Sequence, residues 1–451
     1  MKAEQLVVKQ VNLDPDLKFS IENLGECKVP SPLQEKGKRF IDDQTKLNYF
    51  HFQEQFDAFR SYSKSEVPRF EVAGPRENIY FEPNTVNAAI VTCGGLCPGI
   101  NNVIRAITFT LNLYGVNRIF GIPYGYEGLI KGYGHNVKIL NGFTVSDIQG
   151  KGGTILGTSR GPQEPVAMVD FLVENKINML FTIGGDGTQK GALAISEEIK
   201  KRKLKISVVG IPKTIDNDLG FVEKTFGFET AVEFANKSVQ GAHNEAIACQ
   251  NGIAILKLMG RDSGYIAAQT TLASMDVNIC LIPERDFDLH GPNGLFATIT
   301  KRLNYKRHCV IAVAEGAGQK FFTGERTTDK SGNASYGDIG MFLKQQIVEN
   351  FKNHPLRPTI KYIDPSYLIR SQAANANDSV FCLRLGQGAV HAAMAGKTSM
   401  IAGYWNRIFT HVPMSVATQA RKKIRSDSAF WQSVLEVTRQ PRDMTSDSSL
   451  D

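Results

Sequence analysis

From Asn87 onward the chain alternates between short, uninterrupted apolar runs and longer stretches in which apolar residues return every third or fourth position. The runs Met179 to Ile183, Ile206 to Gly210, Ile253 to Leu258, Asn278 to Ile282 and Val310 to Ala314 are too short for helices, so they predict buried strands. Between them, Pro165 opens a predicted helix with Val166, Val169 and Val173 on one face, and Ala192, Ile195 and Ile199 repeat that spacing. This alternation predicts an α/β fold in which parallel sheets are covered by helices, with a second α/β unit starting near Phe228. Residues up to about Pro83 carry charge, Pro30, Pro32 and little periodicity, and the polar, Gly-containing stretch from Phe322 to Gly340 predicts a mobile loop.

The strand Met179 to Ile183 runs into Gly184-Gly185-Asp186-Gly187-Thr188. Without side chains at Gly185 and Gly187 the backbone approaches an anion closely, and the following helix dipole adds partial positive charge, so the turn reads as a phosphate cradle. A carboxylate does not attract phosphate. Asp186 makes sense there chiefly if a divalent cation lies between it and the phosphates, which makes it the candidate Mg²⁺ ligand. A plain strand-to-helix turn with a surface Asp reads the same five residues, so the neighbouring loops decide.

The strand ending at Gly210 leads into Ile211-Pro212-Lys213-Thr214-Ile215-Asp216-Asn217-Asp218. Loops at the carboxyl ends of consecutive parallel strands open on the same sheet edge, where ligands bind in open α/β folds. Three carboxylates are then available, one to hold a metal and one to take a hydroxyl proton. Self-bonded Asx turns remain the competing reading of Asp216 and Asp218. A third strand end carries Leu258-Met259-Gly260-Arg261-Asp262-Ser263-Gly264 and then a predicted helix from Tyr265 to Ala273. A cation at the positive end of a helix is disfavoured, so Arg261 is expected to answer an anion, although pairing with Asp262 would also hold it.

Taken in order, these loops resemble the 6-phosphofructokinase family from about Asn87 to the region of Trp405. The resemblance begins at Thr92-Cys93-Gly94-Gly95-Leu96-Cys97-Pro98-Gly99-Ile100-Asn101 and Gly152-Gly153-Thr154-Ile155-Leu156-Gly157-Thr158-Ser159-Arg160. It runs through the three loops above and continues at Pro283-Glu284, Ala314-Glu315-Gly316 and Tyr367-Leu368-Ile369-Arg370. It implies two Rossmann-like lobes and the transfer of a phosphoryl group from ATP to the 1-hydroxyl of fructose 6-phosphate. By the same resemblance Gly94, Arg160, Gly161, Gly185, Asp186, Gly187 and Thr188 would contact ATP, with Asp186 on Mg²⁺. Asp216 would be the base, with Lys213 and Thr214 beside it, and Arg261 would stabilise the transferring group. Ile215, Met259, Gly260, Glu315, Tyr367 and Arg370 would join Thr214, Asp216 and Arg261 around the sugar; a strand-end acid and a core tyrosine are the plainer readings of Glu315 and Tyr367.

The resemblance also implies four segments. Residues 1–84 form an extension that embraces neighbouring subunits, 85–227 a nucleotide lobe that also receives part of 377–425, 228–376 a sugar-phosphate lobe, and 426–451 a tail. Nucleotide and sugar would meet in the cleft between the lobes. One branch of the family uses ATP and another pyrophosphate. An Asp at position 187, as in the pyrophosphate branch, would fill and repel the space of an ATP α-phosphate, whereas Gly187 leaves it open. Lys213 resembles the pyrophosphate enzymes, and the pair Gly187 with Lys213 resembles ATP-dependent enzymes of pyrophosphate-type descent, including those of trypanosomes. An NAD-kinase-like or lipid-kinase-like protein shares the Gly-Gly-Asp-Gly-Thr run but is disfavoured by the Lys213 to Asp218 and Met259 to Arg261 loops. Gly252 departs from the simple bacterial enzymes, which carry at that place an Arg that reaches a neighbour's sugar site, and their effector-site arginines cannot be followed past Arg105.

Composition adds limits. A chain of 451 residues exceeds one typical core and predicts two or three domains. No apolar run approaches the ~20 residues of a membrane span, and Met1 to Asp16 has no leader-like apolar core, so a cytoplasmic enzyme with no membrane partner is expected. The net charge of +7 suits anionic ligands. Lys200-Lys201-Arg202-Lys203 and Arg421-Lys422-Lys423 lack interleaved aromatics, so they read as solvated faces, with no nucleic-acid partner. Seven cysteines without Cys-x-x-Cys spacing read as reduced packing residues, with Cys93 and Cys97 flanking the first glycine loop. A homo-oligomer, dimer or tetramer, with effector control is the remaining expectation.

Overall fold

A computed structural model describes residues 13–37, 39–323, 335–419 and 421–445. The chain forms two compact units, one from residues 1–214, 219–226 and 376–421, the other from residues 215–218, 227–375 and 422–451.

The first unit is built on a nine-stranded sheet in the order Lys46–Asn48, Arg69–Val72, Ile408–Pro413, Met400–Trp405, Ser207–Pro212, Met179–Gly184, Asn87–Thr92, Arg118–Ile122 and Lys138–Leu140. The five strands from Met400–Trp405 to Arg118–Ile122 run parallel, and antiparallel strands flank them. The three at its centre are buried at every position, which explains why their sequences are continuously apolar instead of alternating. Helix Asp186–Lys201 buries Ala192, Ile195 and Ile199 as its spacing predicts. Helix Pro165–Glu174 turns differently. It buries Met168, Val169 and Leu172, an i, i+1, i+4 stripe, and leaves Val166 and Val173 about half exposed, so the predicted face was one column off.

The N-terminal segment contributes strands Lys46–Asn48 and Arg69–Val72 to this sheet. Its weak periodicity hid two anchors. Phe19 packs edge-on against Phe70 with ring centres 5.4 Å apart. Glu71, opposite His411 in the ladder, accepts from Arg76 at 2.9 Å and His411 at 2.9 Å and pairs with Lys397 at 2.8 Å. Burial works against the ionised Glu71, but the His411 and Lys397 contacts overcome it and hold the carboxyl at about 2.

The second unit holds a parallel four-stranded sheet in the order Ile279–Leu281, His308–Ala314, Gly252–Leu258 and Ile360–Ile363. The last of these is only half-buried along its length, and its short mixed pattern did not stand out. The expected tail at 426–451 instead contains helix Ala429–Thr438, capped by Ser428, whose Oγ accepts from the Trp431 amide at 3.2 Å. Trp431 and Val434 enter the core of this unit, which is why the segment folds. Of the loop expected from Phe322 to Gly340, residues 324–334 lie outside the described residues; its end is ordered by Asp338, which caps helix Ile339–Phe351. Among the described residues no helix is long and apolar enough to cross a membrane.

Candidate active site

In the first unit the glycine turn follows strand Met179–Gly184 and caps helix Asp186–Lys201 at Gly185. A Cβ on Gly184 would meet Thr188 Oγ1 at 2.1 Å, so the missing side chain lets Thr188 fold back over the turn. A Cβ on Gly187 would meet nothing within 4 Å. The adjacent parallel strands Asn87–Thr92 and Ser207–Pro212 end on the same edge and deliver Gly94 and Lys213. Gly94 is left-handed at φ +84°, its amide donates to Ser159 O at 3.0 Å, and Thr158 Oγ1 donates to Gly94 O at 2.7 Å. These bonds place Arg160 and Gly161 next to the first glycine loop. Lys213 is buried; its amide donates to Gly184 O at 2.9 Å and its ammonium to Gly95 O at 2.8 Å. Thr214 follows, its carbonyl accepting from Thr225 Oγ1 at 2.6 Å.

Asp186 lies 2.9 Å from Lys190 Nζ and 3.5 Å from Arg421 Nη2. Lys190 was not singled out from sequence, though it stands at the i, i+4 spacing that pairs charges on a helix, and Arg421, read there as part of a solvated basic face, reaches Asp186 instead. Mg²⁺ is held through one or two carboxylates together with water and substrate phosphates. Among the described residues no group of three His, Cys, Asp or Glu suits a metal, and Asp186 offers the single hard carboxylate that an ion arriving with a nucleotide needs. The donor set fits.

In the second unit, strands Gly252–Leu258 and His308–Ala314 run parallel and their pairing continues into the loops, with Glu315 N donating to Leu258 O at 2.9 Å and Gly316 N to Gly260 O at 3.0 Å. A Cβ on Gly316 would meet Arg261 O at 1.8 Å, and Gly260 adopts φ +130°. Both glycines are therefore required for the two loops to touch. Arg261 N donates to Asp216 Oδ2 at 3.5 Å, and Ser263 Oγ to Asp216 O at 3.3 Å. The Asp216 carboxyl is pushed up to about 8, first by burial and then by the charges of Asp218 and Glu315, with Asp262 adding to the effect and the Arg261 amide opposing it. Burial also raises Glu315, against the pull of Arg261, Arg370 and Lys257.

The guanidinium of Arg261 stacks 4.6 Å from the centre of the Tyr336 ring, and Tyr336 OH donates to Asp262 at 3.2 Å. Sequence gave no sign of Tyr336, which lies far along the chain in the polar loop. Arg370 stacks on Tyr367 at 4.7 Å, and Tyr367 is 79% exposed, so it is not a core residue. Met259 is the opposite case: it is 4% exposed and belongs to the apolar core, with Ile215 packed against the same cluster. Helix Tyr265–Ser274 begins after Gly264, three residues beyond Arg261, and the Gly264 amide donates to both oxygens of Glu284 at 3.0 and 3.1 Å. Glu284, not an anion drawn in by Arg261, answers that helix dipole. At Gly252 a Cβ would meet Ala246 O at 2.1 Å, so no side chain can stand there. Cys93 and Cys97 are buried and form no disulfide, Cys97 Sγ donates to Phe226 O at 3.3 Å, and burial pushes Cys93 up to about 12, which leaves it inert at neutral pH.

The Phosphofructokinase family model matches residues 87–393. The chain belongs to this family. It is 51% identical over 453 residues to the ATP-dependent 6-phosphofructokinase of Borreliella burgdorferi, covering 97% of this chain and 99% of that protein. It is 46% identical over 372 residues to the ATP-dependent 6-phosphofructokinase of Trypanosoma brucei brucei, covering 82% and 76% of the two chains. The pyrophosphate-dependent phosphofructokinase structure from Marinobacter aquaeolei superposes with a TM-score of 0.66 at 19% identity, over 78% of this chain and 91% of that one, a likeness of fold.

Proposed function

We propose that Asp216 is the general base in a phosphoryl transfer from ATP to the 1-hydroxyl of fructose 6-phosphate, giving fructose 1,6-bisphosphate. The observation that carries this role is the carboxyl held at about 8 by burial and by Asp218 and Glu315, because a base works best with its pKa near the operating pH. The family membership and the ATP-dependent relatives support the reaction itself, the phosphorylation of a sugar phosphate in glycolysis. Asp216 takes the hydroxyl proton, the sugar oxygen attacks the γ-phosphorus, and the bond to the β–γ bridging oxygen breaks to release ADP. Arg261 stabilises the negative charge spread over the equatorial oxygens. The glycine amides, Lys213, Arg160 and Thr188 hold the nucleotide, while Arg370, Tyr367 and Glu315 position the sugar. When bound, Mg²⁺ on Asp186 would neutralise phosphate charge.

The open space at Gly187 favours ATP over pyrophosphate as donor. Lys213 favours the second reading, a pyrophosphate-dependent enzyme, but its ammonium is spent partly on Gly95 O. Assaying fructose 6-phosphate turnover with Mg-ATP against Mg-pyrophosphate tests the choice: turnover with ATP and little with pyrophosphate is expected, and a preference for pyrophosphate overturns it. We assign the enzyme to the cytoplasm as an effector-controlled homo-oligomer, a reading supported by its free cysteines and by exposed apolar residues such as Phe143 and Met275.

A further inference from the structure

We infer that Gln189 is a positioning residue that ties the phosphate turn to the loop bearing Lys213. Gln189 is fully buried in the first turn of helix Asp186–Lys201. Its Nε2 donates to Gly184 O at 2.9 Å and to Ile211 O at 3.3 Å, so one amide bridges the last residue of one strand and the next-to-last residue of its neighbour. Gly184 O is also the acceptor for the Lys213 amide at 2.9 Å. Two donors therefore meet at a single carbonyl where the glycine turn begins.

The orientation of the amide is dictated by these partners. Reversed, its oxygen would face two carbonyl oxygens with no proton between them. As placed, Oε1 lies over the backbone of Gly210, where a Cβ would meet it at 2.0 Å, and it has no hydrogen-bond partner among the described residues. An unpaired buried acceptor is costly, so the site keeps a polar side chain where an apolar one of equal length would relieve that cost. The two donated bonds are what an apolar residue would lose. They hold Gly184 and Ile211 at a fixed separation, and the amides of Gly185 to Thr188 and the ammonium of Lys213 inherit that separation. Misplacing such groups by an ångström weakens ligand binding and catalysis without removing any group that touches the ligand.

The inference rests on the reading that Gly185 to Thr188 hold the nucleotide. The test uses the full-length parent, Gln189→Met, Gln189→Glu and Gly187→Asp. For each, the dissociation constant of Mg-ATP is measured by calorimetry, KM for each substrate by steady-state assay, and folding by circular dichroism. Gln189→Met keeps length and volume but cannot donate; it is expected to stay folded and to weaken ATP about tenfold, with the fructose 6-phosphate KM unchanged. Gln189→Glu, which sets a carboxylate against two carbonyls, is expected to weaken ATP further. Gly210→Ala, which displaces the amide from the other side, is expected to reproduce the loss. If both Gln189 variants bind ATP as the parent does while Gly187→Asp loses it, the nucleotide reading stands and the role of Gln189 is overturned. If Gly187→Asp also binds ATP normally, the nucleotide reading itself fails.

Discussion

In the first unit Asp186 faces two cations, Lys190 at 2.9 Å and Arg421 at 3.5 Å, whereas in the second Asp216 feels three further carboxylates, those of Asp218, Glu315 and Asp262. The first arrangement sets a carboxylate against positive charge, beside a glycine turn whose backbone amides need no side chain to meet an anion. The second does the reverse. It raises the energy of the ionised form, and a carboxylate so destabilised gains more when it takes up a proton. The roles proposed for the two carboxylates, binding and proton transfer, thus call for opposite electrostatic surroundings, and each surrounding is set by what the strand ends bring together.

Removing the proposed base gives the largest expected effect. Asp216→Asn retains the shape and the backbone contacts but not the proton acceptor, so kcat is expected to fall by ~10²–10⁴. Calorimetric titration of each substrate should show binding retained; turnover within a few-fold of the parent would remove Asp216 from the chemistry. Next is Gly187→Asp. The open space there admits the side chain without a clash within the protein, so the loss falls on the ligand. Like charges about 4 Å apart in a partly dry site cost on the order of several kcal/mol, and the ATP KM should rise by on the order of a hundredfold. With Lys213 present, faint pyrophosphate turnover is the accompanying result to look for. An unchanged ATP KM would mean that the nucleotide phosphates lie elsewhere. The smallest effect is expected at Arg370→Ala: a rise of about tenfold in the KM for fructose 6-phosphate with the ATP KM unchanged, because a bond to a non-reacting phosphate contributes equally before and during the reaction. A change confined to the ATP KM would break the separation between the two sites.

Much of this contrast was legible in the sequence because strand ends are local. The runs Met179 to Ile183 and Val310 to Ala314 announce themselves, and whatever follows each lands on a predictable sheet edge. What stayed hidden depends on distance along the chain. The cluster around Glu71 joins residues up to 340 positions apart and draws the N-terminal segment into the sheet. Tyr336 reaches Arg261 from a polar loop with no periodicity. Helix Pro165–Glu174 shows a subtler failure, since an almost wholly apolar segment offers several faces and only packing chooses among them. Met259 shows the same limit at a single residue: its motif pointed to the sugar, while its side chain lies in the core. The role of Gly316 was likewise invisible until Arg261 O was found beside it.

The central claim is that the raised carboxyl of Asp216 is the catalytic base, and the pH dependence of kcat/KM for fructose 6-phosphate tests it most directly because that ratio reports the ionisation of the free enzyme. Only the ionised form accepts a proton, so kcat/KM should fall as pH drops below about 8, the value at which burial, Asp218 and Glu315 hold the group. In Asp216→Asn the residual rate should lose this limb. A limb in the ordinary carboxylate range near 4, or one near 8 that survives in Asp216→Asn, would contradict the claim.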